Sequence, residues 1–234
     1  MASTELTCAA SSLLVPLFDA APTCGPTCYP AALTEVARTR VSVHYETGHA
    51  AVPVLSVCTP GAIRLPNSLL VSRLPHPESS VTIRSWSVAR WWRPSRPRRV
   101  AFQHVPGPTG ARDVLSCASL IGRGPGLTPA GDDVVAAALV TAYALRDVRR
   151  DTWIAQTREA LDRRRTTAVS QAMLHHAMDG YATPQLTAYV DAAIAGAPLD
   201  DARRDLLQVG HTSGAALLRG VVHTLSTHQQ RGAA

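Results

Sequence analysis

GRGPGLTPAGDD, running from Gly122 to Asp133, is the stretch on which the reading of this chain turns. Gly122, Gly124 and Gly126 alternate, and Leu127-Thr128-Pro129 then opens a helix. Thr128 suits the N-cap and Pro129 the first helical position. Glycines permit positive φ and let backbone approach a ligand closely. A glycine loop feeding a helix N-terminus offers an anion free N–H groups and the positive end of the helix dipole. Asp132 and Asp133 complicate that cradle, because two carboxylates repel a phosphate or carboxylate. A cation such as Mg²⁺ could bridge them to an anion. One Asp could instead act as a base or accept from an amide N–H₂. Or both simply stabilise the helix start, contributing at most ~1 kcal/mol each.

On the C-terminal side the pattern is helical. Val134, Val135, Ala138, Leu139, Ala142 and Leu145 recur at helical spacing, with Arg146 to Arg150 as a C-terminal turn. Further helices are predicted over Trp153 to Leu161, over Thr167 to Asp179 ending at Gly180, over Leu186 to Ala195, and as one long helix over Asp201 to Leu225. On the N-terminal side Val41 to Tyr45 alternates like a half-buried strand, and Val52 to Cys58 and Val81 to Val88 do much the same. Prolines 53, 60, 66, 75 and 77 punctuate these runs. Arg93 to Gly110 reads as a loop or linker. The expected fold class is α+β, a β-rich N-terminal half packed on an all-helical C-terminal half. The expected regions are 1–110 and 111–234, or one continuous domain.

Composition narrows the chemistry. Hydrophobic residues form 46% of the 234-residue chain and aromatics 5%, so the core is expected to be Ala, Val and Leu. The net charge is +6, and all 23 basic residues are Arg. Without Lys there is no Schiff-base chemistry, no pyridoxal-phosphate anchor and no P-loop lysine. An anion site must use Arg, backbone N–H groups, His or a metal. Five cysteines at irregular spacing do not form a disulfide framework, and Cys24 and Cys28 make a lone CxxxC that is weak as a zinc signal. The N-terminus lacks the basic region of a signal peptide, and no segment reaches the roughly 20 apolar residues of a membrane span. A cytoplasmic location follows as the expectation.

Other constellations carry less. Arg84 to Arg99 sets Trp86, Trp91 and Trp92 among six arginines. That mixture serves single-stranded nucleic acid, but it also fits an exposed hairpin and linker, and nucleic acid is disfavoured. His44, Glu46 and His49 have ligand-type side chains at a spacing that matches no strong zinc pattern. His175 and His176 point different ways from one helix. Asp201, Arg203, Arg204 and Asp205 read as a solvated helix start.

Three segments occur together in order: GRGPGLTPAGDD (122–133), TTAVSQAMLHHAMDG (166–180) and LLQVGHTSGAALLRG (206–220). The combination resembles the AllH-like family, whose namesake is a subunit associated with oxamate carbamoyltransferase. That enzyme interconverts oxalurate and phosphate with oxamate and carbamoyl phosphate. The family pattern maps onto Gly124, Gly126, Thr128, Pro129, Gly131, Asp132 and Asp133, then Thr166, Thr167 and Ser170, then Gly210, His211, Ser213 and Gly214. In the N-terminal half the resemblance is limited to strands and to Asn67 after a Pro-Gly turn. Ala216 and Ala168 depart from the pattern, standing where the family often has Asp and a basic residue.

The resemblance implies a small-molecule enzyme, or a subunit that works with companion subunits or as a homo-oligomer, acting on a small carboxylate or amide substrate, with carbamoyl transfer as the reaction. A tailoring enzyme (cyclase, dehydratase or isomerase) and a non-catalytic ligand-binding subunit are the alternatives. In the expected site, backbone N–H groups of Gly124 to Gly126 and the Thr167 hydroxyl hold an anion. Asp132 or Asp133 orients an amide nitrogen or a metal, and His211 is the general acid–base or else a capped core histidine. Thr166 and Thr167 start a helix that faces the same ligand. Gly210 and Gly214 smooth one helix face, flanked by His211 and Ser213. For Ser170 and Ser213, nucleophilic catalysis competes with bonding back to the helix.

Overall fold

A computed structural model of the chain describes residues 6–23, 32–100, 116–163 and 165–232. It divides into two compact units, residues 1–94 and 95–234. The first is built on a six-stranded sheet and the second on helices, so the fold is α+β. Among the described residues no helix is long and apolar enough to cross a membrane.

The sheet contains β1 (Leu6–Ser11), β2 (Thr34–Arg38), β3 (Ser42–His49), β4 (Val52–Cys58), β5 (Ser68–Leu70) and β6 (Trp86–Trp92), in the order β2-β3-β4-β5-β1-β6. Pairing is antiparallel except for β1 with β6 and β4 with β5. Strand β4 lies between two neighbours and is buried at every position but Pro53, which suits its continuous run of Val, Leu and Cys. Helix α1 (Val15–Thr23) follows β1 through a 3₁₀ turn, and Leu14 of that turn and Leu17 of α1 are buried in a cluster with Val43, Leu55, Val57 and Leu69. The N-terminal unit is β-rich, as expected, and contains α1 as well. The strand expected over 81–88 begins only at Trp86, since residues 83–85 form a 3₁₀ turn closed by Thr82 and Ser85. Local side-chain to backbone bonding outcompetes extension there.

The helical unit holds α2 (Cys117–Leu120), α3 (Ala130–Leu145), α4 (Arg150–Asp162), α5 (Ala168–Met178), α6 (Pro184–Ala195), α7 (Asp200–Leu207) and α8 (Ser213–Gly232). Helix α3 is the axis of this unit. Fourteen of its 16 residues are buried, the mark of a helix surrounded by others. Its Ala-rich sequence lets neighbours come close. A Cβ added to Gly220 of α8 would stand 2.3 Å from the Val134 carbonyl oxygen of α3, so these two backbones touch. Gly180, at φ +82°, follows α5 as expected, and its missing side chain admits the Tyr143 ring.

The long helix expected over 201–225 is in fact two. It breaks at Gln208–Thr212, where Gly210 takes φ +58°. Gly210 and Gly214 therefore do not share a helix face, and the apolar spacing simply runs on through the turn. Arg146 to Arg150 are likewise not one helix end. Arg146 caps α3 in the left-handed region, and Arg150 opens α4.

Candidate active site

The loop from Gly122 to Pro129 is shaped from within. Gly131 N–H donates to the Arg123 carbonyl (2.8 Å), and a Cβ on Gly131 would meet the Leu120 carbonyl oxygen at 2.0 Å. A Cβ on Gly122, at φ +78°, would meet the Arg165 carbonyl oxygen at 2.0 Å. These glycines answer to backbone crowding. Gly126 differs. It has φ +100°, is exposed, and has nothing within 4 Å of where a Cβ would be. The N–H groups of Gly124, Gly126, Leu127 and Thr128 make no hydrogen bond among the described residues. Helix α3 begins one residue later than expected. Pro129, not Thr128, is the N-cap, because the Thr128 hydroxyl reaches across to Ser213 Oγ (3.0 Å) instead of back to its own helix.

Three helix starts thereby meet. Thr128 ties the loop to Ser213, the first residue of α8. Thr167, the N-cap of α5, donates its hydroxyl to the Leu127 carbonyl (2.6 Å) and accepts from Ser170 N–H (3.1 Å). Thr166 donates its hydroxyl to Asp132. The three segments singled out by the sequence pattern are thus joined by named bonds. His211 stands apart from those bonds, exposed in the turn before α8. Gly214 is buried, and a Cβ on it would stand 2.2 Å from the Leu206 carbonyl oxygen.

Asp132 and Asp133 are both buried, with opposite surroundings. Asp132 accepts Gly122 N–H (2.7 Å) on one oxygen and the Thr166 hydroxyl on the other. It is a clasp between the glycine loop and the approach to α5. Asp133 Oδ2 is buried with no hydrogen-bond partner among the described residues. Burial raises its pKa to about 7, the Ser213 and Thr128 hydroxyls pull it down, and the Asp132 charge pushes it up. The helix dipole would favour the ionised form, but by no more than ~2 kcal/mol. A shift from 3.8 to about 7 corresponds to roughly twice that, so desolvation wins. Ser170 Oγ is a second buried polar atom without a partner among the described residues.

The remaining candidates lie elsewhere. His44 is buried within the sheet, bonded to Ser42 and Ser56 (3.2 and 2.9 Å), and burial lowers its pKa to about 4. Glu46 is exposed, so the two do not share an environment. Among the described residues no three His, Cys, Asp or Glu side chains group as metal ligands. Cys8, Cys58 and Cys117 are buried free thiols, while Cys24 and Cys28 lie outside the described residues. Asn67 is structural, donating to the Val54 carbonyl (2.8 Å). Within the Arg-Trp segment Trp86–Trp92 forms edge strand β6, with Arg64 stacked on Trp92 and Phe18 against Trp91, while Arg96 and Arg99 stack on Tyr143.

One buried network has no counterpart in the sequence reading. Asp147 takes Arg149 in bidentate fashion (2.9 and 2.6 Å) and His228 Nδ1 (2.8 Å), while Arg149 also donates to Thr227 Oγ1 (2.5 Å). Burial would raise the Asp147 pKa, but the bonds from Arg149 and His228 outweigh it and hold the carboxyl well below the usual range. The network fastens the distal part of α8 to the α3–α4 corner. Asp-Val-Arg gave no warning, because its meaning depends on His228, 81 residues away.

A glycine loop, a buried carboxyl and three helix starts thus meet in the helical unit. Residues 120–225 match the family model of oxamate carbamoyltransferase subunit AllH, and over that stretch the chain is AllH-like. No solved structure matches the chain.

Proposed function

We propose that the meeting point of α3, α5 and α8 binds a small carboxylate- or amide-bearing substrate and transfers a carbamoyl group, in the manner the AllH name implies. The observation that carries this reading is Asp133, a buried carboxyl with an unpartnered oxygen and a pKa near neutrality. Such a group can give and take a proton at physiological pH. It can also accept from an amide N–H₂, the group shared by oxamate and carbamoyl compounds. The free N–H groups at Gly124, Gly126 and Thr128 are placed to receive an anionic oxygen. Thr167 and Asp132 act here as positioning residues, since the oxygens of both already meet protein groups. Both oxygens of Asp132 are committed to N–H and O–H donors, which leaves Asp133 as the carboxyl of the pair open to an amide or to Mg²⁺. Ser213 orients Thr128.

The test is an assay of carbamoyl transfer between carbamoyl phosphate and oxamate, with the chain alone and with companion subunits added. Activity that falls at least a hundredfold in Asp133→Asn, while His211→Ala keeps most of it, supports the assignment. Full activity in Asp133→Asn would remove it. The reading of a non-catalytic ligand-binding subunit is favoured if oxamate binds but turnover never appears with any partner.

A further inference from the structure

We infer that the sheet unit carries a second binding site, for a small organic carboxylate with an apolar body. A cavity of about 480 Å³ is lined by Leu6, Leu74, Pro75 and Val81 on one hand and by Arg73, His76 and three serines, Ser79, Ser80 and Ser85, on the other. That volume falls within the roughly 300–1,000 Å³ that holds metabolite-sized ligands. The lining is about equally polar and apolar, so the site offers one flank for a charged head and one for an apolar body.

The charge pattern selects the ligand. Among the described residues no acidic side chain lines the cavity and none pairs with the Arg73 guanidinium. An unpaired Arg fork matches a carboxylate bidentately. His76 is preset as a donor. Its Nδ1 accepts from Glu78 N–H (3.3 Å), so in the neutral ring Nε2 carries the hydrogen. The walls are held in place before any ligand arrives. Arg38 donates to the Pro75 carbonyl (3.0 Å) while paired to Glu35 (2.5 Å), Leu33 N–H binds the Val81 carbonyl (2.7 Å), and Ser79 N–H binds the His76 carbonyl (3.0 Å). The backbone that carries these side chains is set in advance, and the exposed Arg73 side chain is ordered by the ligand.

The experiment is a titration of the full chain, followed by amide NMR, with acetate, hexanoate and inorganic phosphate. Hexanoate should produce saturable shifts at Arg73, Leu74, His76 and Ser80, and should bind about tenfold more tightly than acetate, the gain from roughly two of its extra CH₂ groups leaving water. Arg73→Gln, at an exposed position, should keep the wild-type thermal midpoint and weaken hexanoate about tenfold. Three results would overturn the inference: no saturable shift at these amides, phosphate binding as tightly as hexanoate, or hexanoate binding unchanged in Arg73→Gln.

Discussion

Asp132→Asn and Asp133→Asn should behave as opposites, although the two residues are neighbours in sequence and both are buried. The first leaves Thr166 or Gly122 with a poorer partner and should lower stability by about 1–3 kcal/mol in urea unfolding. The second removes a buried carboxyl, and its effect should depend on pH. Folded Asp133 keeps its proton to about pH 7, whereas the unfolded group releases it near 3.8. Between those values the folded state holds the extra proton, so this residue's contribution to stability falls as pH rises. His44 and His176 work the other way. Burial lowers both from 6.5 to about 4, so their contribution is present above pH 6.5 and is lost as pH falls toward 4. Stability profiles from pH 4 to 8 should therefore place the optimum at a higher pH in Asp133→Asn than in the wild type. An unmoved optimum would count against the assignment. The two Asp residues were legible in the sequence as a pair at a helix start. Their division was not, because it is set by Thr166 and Ser213, which arrive from other helices.

Helix contacts carry their own expectations. Gly220→Ala would drive a Cβ into the Val134 carbonyl and should destabilise by roughly 1–3 kcal/mol, the usual range for overpacking. Gly126→Ala meets no neighbour and should lose only the ~1–2 kcal/mol of an unfavourable φ. Chemical denaturation of both variants compares these directly. Asp147→Asn leaves Arg149 buried with a weakened partner and should lower stability by about 3–5 kcal/mol. Helices α4, α5 and α6 were readable from apolar spacing, with Gly180 marking the end of α5, whereas the opening of α6 by Thr183 and Pro184 was not read. The break between α7 and α8 was not, because Leu206, Val209 and Leu217 keep a helical rhythm across it and only Gly210 interrupts. The late start of β6 was hidden for a similar reason: Val81 and Ile83 are apolar and buried without belonging to a strand.

At the scale of the whole molecule, the α+β class followed from the change of pattern near residue 110, and the sheet and helical units bear it out. The order of the strands was beyond the sequence, since the parallel pairing of β1 with β6 joins residues some 80 positions apart. The site was legible as three motifs, yet which atoms remain available to a ligand emerged only once their mutual bonds were placed. The central claim, that a small carboxylate or amide ligand sits where α3, α5 and α8 begin and meets Asp133, is tested most directly by mapping oxamate binding with amide NMR on the wild type and on Asp133→Asn. Saturable shifts centred on Gly124, Gly126, Thr128 and Ser213, lost in Asp133→Asn, are the predicted result. Shifts centred elsewhere, or shifts that survive unchanged in Asp133→Asn, would contradict it.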